Sequence, residues 1–78
     1  MARLLLFGPA RETAGTSSDF IDASTVTEVL EIAVRRYGEK FELILAVSQV
    51  WVNGEPADRS SEVGSLDEVA VLPPISGG

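Results

Sequence analysis

Glu68-Val69-Ala70-Val71-Leu72-Pro73-Pro74-Ile75-Ser76-Gly77-Gly78 is the stretch that decides how the rest of the chain is read. The first five residues form an aliphatic, strand-like run. Pro73 and Pro74 fix φ and lack N–H donors, so they cannot continue a sheet ladder and the strand must stop at Leu72. They also favour an extended exit. Six extended residues, 73–78, reach at most roughly 20 Å. The pair Gly77-Gly78 has no side chain to obstruct a narrow channel, and a free α-carboxylate would sit at its tip. Two glycines are costly to order and contribute nothing to packing. The stretch therefore divides the chain into a domain, residues 1–72, and an extended tail, residues 73–78.

Bulk composition narrows what the domain can do. Seventy-eight residues make one small domain, and 45% hydrophobic content argues for a packed core rather than disorder. The chain has no Cys and no His. Disulfides, thiolate metal sites, imidazole ligation and histidine acid–base chemistry are thereby unavailable, and no metal site is expected. Twelve acidic residues against six basic ones give a formal charge of −6. That balance disfavours nucleic-acid binding, which needs Lys and Arg at the phosphates, and suits a basic protein partner. The apolar run Leu4 to Phe7 is too short for a signal peptide or a membrane span, so a cytoplasmic location without membrane contact is expected.

Working outward from the last strand, Ala2 to Phe7 reads as a first strand, stopped by Gly8-Pro9. Its two faces are both apolar, which predicts burial on both sides or a partner on the outer face. Residues 8–16 read as a loop, and residues 17–22 as a second strand able to form a hairpin with the first. Residues 25–37 are the clearest helix. Thr25 with Glu28 fits a capping box, and Val26, Val29, Leu30, Ala33, Val34 and Tyr37 fall on one stripe. Glu28 and Glu31 early, with Arg35 and Arg36 late, match the helix dipole. Gly38 is placed to close the helix. Residues 39–48 fit no single period and read as a short helical turn or a packed connection. Val50-Trp51-Val52 is a strand meeting Asn53-Gly54, a hairpin signal, and Pro56 makes the returning segment an edge. Alternation puts Trp51 opposite the two valines, so the indole faces out if the valines face the helix and is core otherwise. A helix between two hairpins, with the first and last strands free to pair in the middle, is an α+β arrangement of the β-grasp type.

Two segments carry a family resemblance. Asp67-Glu68-Val69-Ala70-Val71-Leu72-Pro73-Pro74-Ile75-Ser76-Gly77-Gly78 resembles the C-terminus of the small, sulfur-carrying subunits of molybdopterin synthase, the MoaD family of ubiquitin-like sulfur carriers. Phe7-Gly8-Pro9-Ala10-Arg11-Glu12 resembles that family's loop after the first strand. One departure is local: family members often carry Gly-Asp-Glu before the last strand, whereas here Leu66 precedes Asp67-Glu68 and Gly64 lies earlier.

The resemblance implies a ubiquitin-like β-grasp domain with a mixed sheet, one main helix and a flexible diglycine tail. It implies that Gly78 is the reactive residue, adenylated and then thiocarboxylated, and that it donates sulfur to the dithiolene of molybdopterin. Leu72, Trp51 and Phe7 are expected, from alternation and position, to form an exposed apolar patch beside the tail, the kind of surface that marks a partner. The resemblance adds Arg11 to that surface and makes Pro73, Pro74, Ile75, Ser76 and Gly77 the tail. It implies no cofactor bound to this chain, because ATP and magnesium would be used by a separate activating enzyme, an E1-like adenylyltransferase of the MoeB type. The chain would not be an enzyme on its own. A large synthase subunit of the MoaE type would carry the catalytic residues, in a heterotetramer of two small and two large subunits. The same tail would also serve a carrier for thiamin, cysteine or tRNA thiolation, or a ubiquitin-like protein modifier. A β-grasp binding module would not need Gly77 and Gly78 at all.

Overall fold

The structure is a computed structural model and describes residues 1–74. Five strands form one mixed sheet in the order β2-β1-β5-β3-β4. β1 (Ala2–Leu6) and β5 (Glu68–Leu72) run parallel at its centre, and β2 (Ser18–Ile21), β3 (Gln49–Val52) and β4 (Glu55–Pro56) pair antiparallel. This is the expected β-grasp arrangement, with the terminal strands paired in the middle.

Residue alternation assigns the two faces of the sheet. Ala2, Leu4, Leu6, Ile21, Val50, Val69 and Val71 are buried on one face. α2 (Val26–Tyr37) packs over that face with Val26, Val29, Leu30 and Ala33. Val34 and Tyr37, at the margin of the same stripe, are only partly buried. The helix starts where the capping pattern places it: Thr25 accepts the Glu28 N–H at 3.2 Å. Glu28 reaches one residue further back than a capping box requires, accepting from the Ser24 N–H at 3.1 Å and the Ser24 hydroxyl at 2.7 Å. Those bonds to Ser24 hold the Glu28 carboxyl below its ordinary pKa. Gly38, at φ 95°, closes the helix by donating to the Val34 carbonyl.

Two segments differ from the sequence reading. Residues 8–16 are not a loop: Gly8–Ala14 form a seven-residue helix, α1. Gly8-Pro9 does end the first strand, but proline is also well suited to a first helical turn, where its missing N–H has no partner to lose. Gly15 then closes α1 in the left-handed region, with its N–H on the Arg11 carbonyl at 2.9 Å. Residues 39–48 contain a full helix, α3 (Glu39–Ala46). Phe41 and Leu45, one turn apart, are its buried residues, and the Phe41 ring lies 5.2 Å from that of Tyr37. Leu43 and Val47 are exposed, so the apolar residues of this segment do not share one side.

The Asn53-Gly54 turn forms as expected. Both residues have positive φ, 52° and 82°, which matches the twist a two-residue hairpin needs. Asn53 also ties the turn to the central strand. Its amide donates to Asp67 Oδ1 at 2.9 Å, and its side-chain oxygen accepts the Glu68 N–H at 2.9 Å.

Candidate functional site

The outer face of the sheet has no helix on it among the described residues. It presents Arg3 and Leu5 from β1, Phe20 from β2, Gln49 and Trp51 from β3, and Glu68, Ala70 and Leu72 from β5. None of these is buried, and Phe20 is 57% exposed. The register makes a row across the sheet: Leu5 lies opposite Ala70, and Ala70 opposite Trp51. Leu72, two residues along β5 from Ala70, points the same way and is opposite Gln49. The valines face the helix, so the indole of Trp51 faces outward. It is half-buried by its neighbours and donates to Gln49 at 3.1 Å.

Phe7 extends this surface. It is the N-cap of α1 with extended backbone, φ −130° and ψ 153°, and continues the β1 register one step beyond the Leu6–Val71 pair. That step places it beside Leu72, and it is 45% exposed. Leu72, Trp51 and Phe7 therefore share one surface at the end of the sheet where β5 leaves it. Arg11 does not join them on the sheet. It lies on the exposed side of α1, and its guanidinium has no ion-pair partner among the described residues. Pro73 and Pro74 follow Leu72 outside the strand, Pro73 partly buried and Pro74 exposed. Ile75, Ser76, Gly77 and Gly78 lie outside the described residues.

Electrostatics on the outer face are mild. Arg3 and Glu68 pair at 3.4 Å, both about half exposed, an arrangement worth little in water. Asp67, just before β5, holds the approach to that strand. Its carboxylate accepts from the Asn53 amide and from the Gly64 N–H at 2.7 Å, which lowers its pKa. Gly64 and Asp67, where the sequence departs from the family's pattern, are thus in direct contact. On the helix side, a groove of about 600 Å³ between α2 and α3 has Leu30, Val34 and Leu45 among its lining. It carries Glu31 and Glu42 against Arg35 and Arg59, with no net charge. Among the described residues no cluster of three or more acidic side chains could hold a metal ion, and no helix is long and apolar enough to cross a membrane.

One cluster was not foreseen in the sequence. Asp19 Oδ2 accepts from the Tyr37 hydroxyl at 2.5 Å and from Arg36 Nη1 at 2.9 Å, joining β2 to the end of α2. The Tyr37 hydrogen bond is the main cause of the lowered Asp19 pKa. Partial burial, then the Asp19 contact, pushes Tyr37 up to about 12. Seventeen and eighteen residues separate the partners, so no local pattern announces them.

The family profile described as the ThiS family matches residues 4–78, nearly the whole chain. The chain belongs to the ThiS family. The molybdopterin synthase sulfur carrier subunit of Dictyostelium discoideum is 33% identical over 81 residues, which cover 97% of this chain and 94% of that one. SAMP1 from Haloferax volcanii has a TM-score of 0.83 at 28% identity, covering 99% of this chain and 98% of the other. A Pyrococcus furiosus protein assigned as molybdopterin converting factor subunit 1 also gives 0.83, at 25% identity, covering 95% and 97%. The resemblance to ubiquitin-like sulfur carriers of the MoaD type holds across this ThiS-family chain, and the fold is the ubiquitin-like β-grasp.

Proposed function

We propose that this ThiS-family chain is the sulfur carrier subunit of a molybdopterin synthase, with Gly78 as the residue that is loaded. The observation that carries this reading is the whole-length match to the Dictyostelium discoideum sulfur carrier subunit. The apolar outer face beside the strand that leads into Pro73-Pro74 supports it. Unpartnered apolar surface of this kind commonly marks a protein contact.

The chemistry needs little from the domain itself. A carboxylate is a poor electrophile. Attack of the Gly78 carboxylate on the α-phosphorus of ATP releases pyrophosphate and gives an acyl-adenylate. Hydrosulfide then attacks the acyl carbon, displaces AMP and leaves a terminal thiocarboxylate. Where the donor is a persulfide, the first product is an acyl disulfide. A second thiol cleaves its S–S bond, releasing the thiocarboxylate and leaving as a disulfide with the donor. ATP and magnesium belong to the activating enzyme, an adenylyltransferase of the MoeB type. The loaded tail then enters a large subunit of the MoaE type, which carries the catalytic residues for dithiolene formation in a two-plus-two heterotetramer. Gly77 gives passage through a channel too narrow for a Cβ.

The test is an intact mass after incubation with a matching activating enzyme, ATP, magnesium and a sulfur donor. The parent should gain the difference between one sulfur and one oxygen, located on the terminal peptide. A variant lacking Gly78 ends up to about 3.6 Å short and should gain nothing, since about 1 Å of misplacement can cost on the order of a hundredfold in rate. A parent that never loads, or a deletion that loads equally fast, overturns the assignment. The likeness to SAMP1, 28% identical over nearly the whole chain, favours a protein modifier as the second reading. That reading requires isopeptide conjugates surviving on a denaturing gel.

A further inference from the structure

A mixed sheet that is not closed into a barrel has two free edges, and each is a template for another strand. In this chain the β4 edge is two residues long and contains Pro56. Ala57 donates to the Val50 carbonyl at 3.1 Å, so the next pair, Pro56 with Trp51, is a non-hydrogen-bonded one. The nitrogen of Pro56 therefore faces outward, where a strand arriving at this edge would need a donor.

The β2 edge is longer and has no proline. Leu6 donates to the Ser17 carbonyl at 2.9 Å, and Arg3 donates away from β2, to the Asp67 carbonyl at 3.0 Å. Ladder alternation from those two bonds makes Ser18–Leu5 and Phe20–Arg3 non-hydrogen-bonded pairs. The N–H and C=O of Ser18 and of Phe20 therefore point outward, and these four groups are what the β2 strand offers to a new strand.

Side chains occupy all four. The Thr16 hydroxyl donates to the Ser18 carbonyl at 2.8 Å and accepts the Ser18 N–H at 3.4 Å. Asp19 Oδ1 accepts the Phe20 N–H at 2.8 Å, and Arg36 Nη1 donates to the Phe20 carbonyl at 3.0 Å. Arg36 is itself held by Asp19 Oδ2, which also accepts from Tyr37. We propose that Thr16, Asp19 and Arg36 act as a side-chain guard on the β2 edge, and that the strand they exclude is β2 of a second copy of this chain.

The second copy is the fitting occupant for two reasons. Two such edges related by a two-fold axis would pair Ser18 with Phe20 in both directions, matching outward groups to outward groups. The same register sets Asp19 directly opposite Asp19 of the other copy, and like charges directly opposite are destabilising. The aspartate thus blocks the edge twice, by holding Phe20 and Arg36 and by its own charge. Exposed Phe20 on the outer face would otherwise add apolar contact to the pairing. On the proposed function, a carrier that passes its tail between an activating enzyme and a large subunit benefits from an edge that does not pair with its own copies.

The test joins Thr16→Val with Asp19→Ala in one protein, followed by sedimentation equilibrium and amide exchange. The parent should remain a monomer across the concentration range. The double variant should associate with concentration, its mass doubling, while far-UV circular dichroism stays that of the parent. Adding Phe20→Pro should restore the monomer, because it deletes an outward N–H and no bond to β1. A folded double variant that stays monomeric overturns the proposal. If the double variant does not fold, the parent's own exchange decides. The amides of Ser18 and Phe20 should exchange at least ten-fold more slowly than in an unstructured peptide, although neither bonds a neighbouring strand. Exchange of both at the unstructured rate also overturns it.

Discussion

The two faces of the sheet are built from alternate residues of the same strands, yet they do opposite work. On the inner face of β1, β3 and β5, Ala2, Leu4, Leu6, Val50, Val69 and Val71 are at most 8% exposed. On the outer face Leu5, Trp51, Ala70 and Leu72 are apolar too, but none is buried. A sheet face left to water ordinarily alternates to polar residues. Here the polar residues, Arg3, Gln49 and Glu68, lie among apolar ones rather than replacing them. Hydrophobicity that a strand does not use for its own core is available for another molecule. The inner face accounts for stability, and the outer face is the one we assign to the partner.

Breaking the inner face should have the largest effect. Phe41 is fully buried and stacks at a tilt on Tyr37, so Phe41→Ala should cost about 3–5 kcal/mol. Leu30→Ala removes a residue that is 3% exposed at the middle of α2 and should cost roughly 2–5 kcal/mol. Small domains have about 0.05–0.15 kcal/mol of stability per residue, so either loss takes much of the total. Denaturant midpoints measured with Trp51 as the fluorescent probe will check both. A midpoint equal to the parent's at either position would mean that the inner face is not the core.

How legible each region was follows from the range of the interactions that form it. β3, β5, the Asn53-Gly54 turn and α2 were readable because each is specified by neighbours a few residues apart. The first helix was hidden because Gly8-Pro9 serves both as a strand stop and as a helix start, and the sequence alone weights the first. α3 was hidden because Leu43 and Val47 are apolar and exposed, which blurs the period that Phe41 and Leu45 would otherwise show. Leu72, Trp51 and Phe7 were legible as a surface from alternation and position. Arg11 joins them only through the likeness of Phe7–Glu12 to the family's segment after the first strand, and it lies on α1, beside the sheet rather than on it. Asp19 was unreadable, because Tyr37, Arg36 and the Phe20 edge reach it only after the fold has formed.

Asp19 also sharpens the comparison, since it is the acidic residue on the helix-facing side of β2, at the margin of the core. Tyr37 is the only tyrosine in the chain, so its ionisation can be followed by absorbance alone. Its midpoint should lie near 12 rather than 10, and Asp19→Ala should return part of that shift. The signs of the two linkages are opposite. Tyr37 is raised on folding, so its contribution is full below pH 10 and is lost as pH rises through about 12. Asp19 is lowered, so its contribution is present above its ordinary value of 3.8 and is lost as pH falls below it. A parent midpoint near 10 would mean that the contact between β2 and α2 is not kept in solution.

The smallest expected effect on stability is also the sharpest test of the outer face. Leu72 is half-buried at the end of β5, with its side chain on the face opposite α2. Leu72→Asp places a charge there without opening a cavity in the core. Its cost to the fold should be about 1 kcal/mol or less, the span of strand propensity at a partly exposed site. Its effect on the proposed large subunit should be far greater, because a carboxylate would have to be desolvated against an apolar contact beside Trp51 and Phe7. Binding measured by calorimetry should be lost while the denaturant midpoint stays close to the parent's. Undiminished binding would remove the outer face from the partner surface. A collapse of stability would instead show that Leu72 belongs to the core, and that the two faces are less distinct than their exposure indicates.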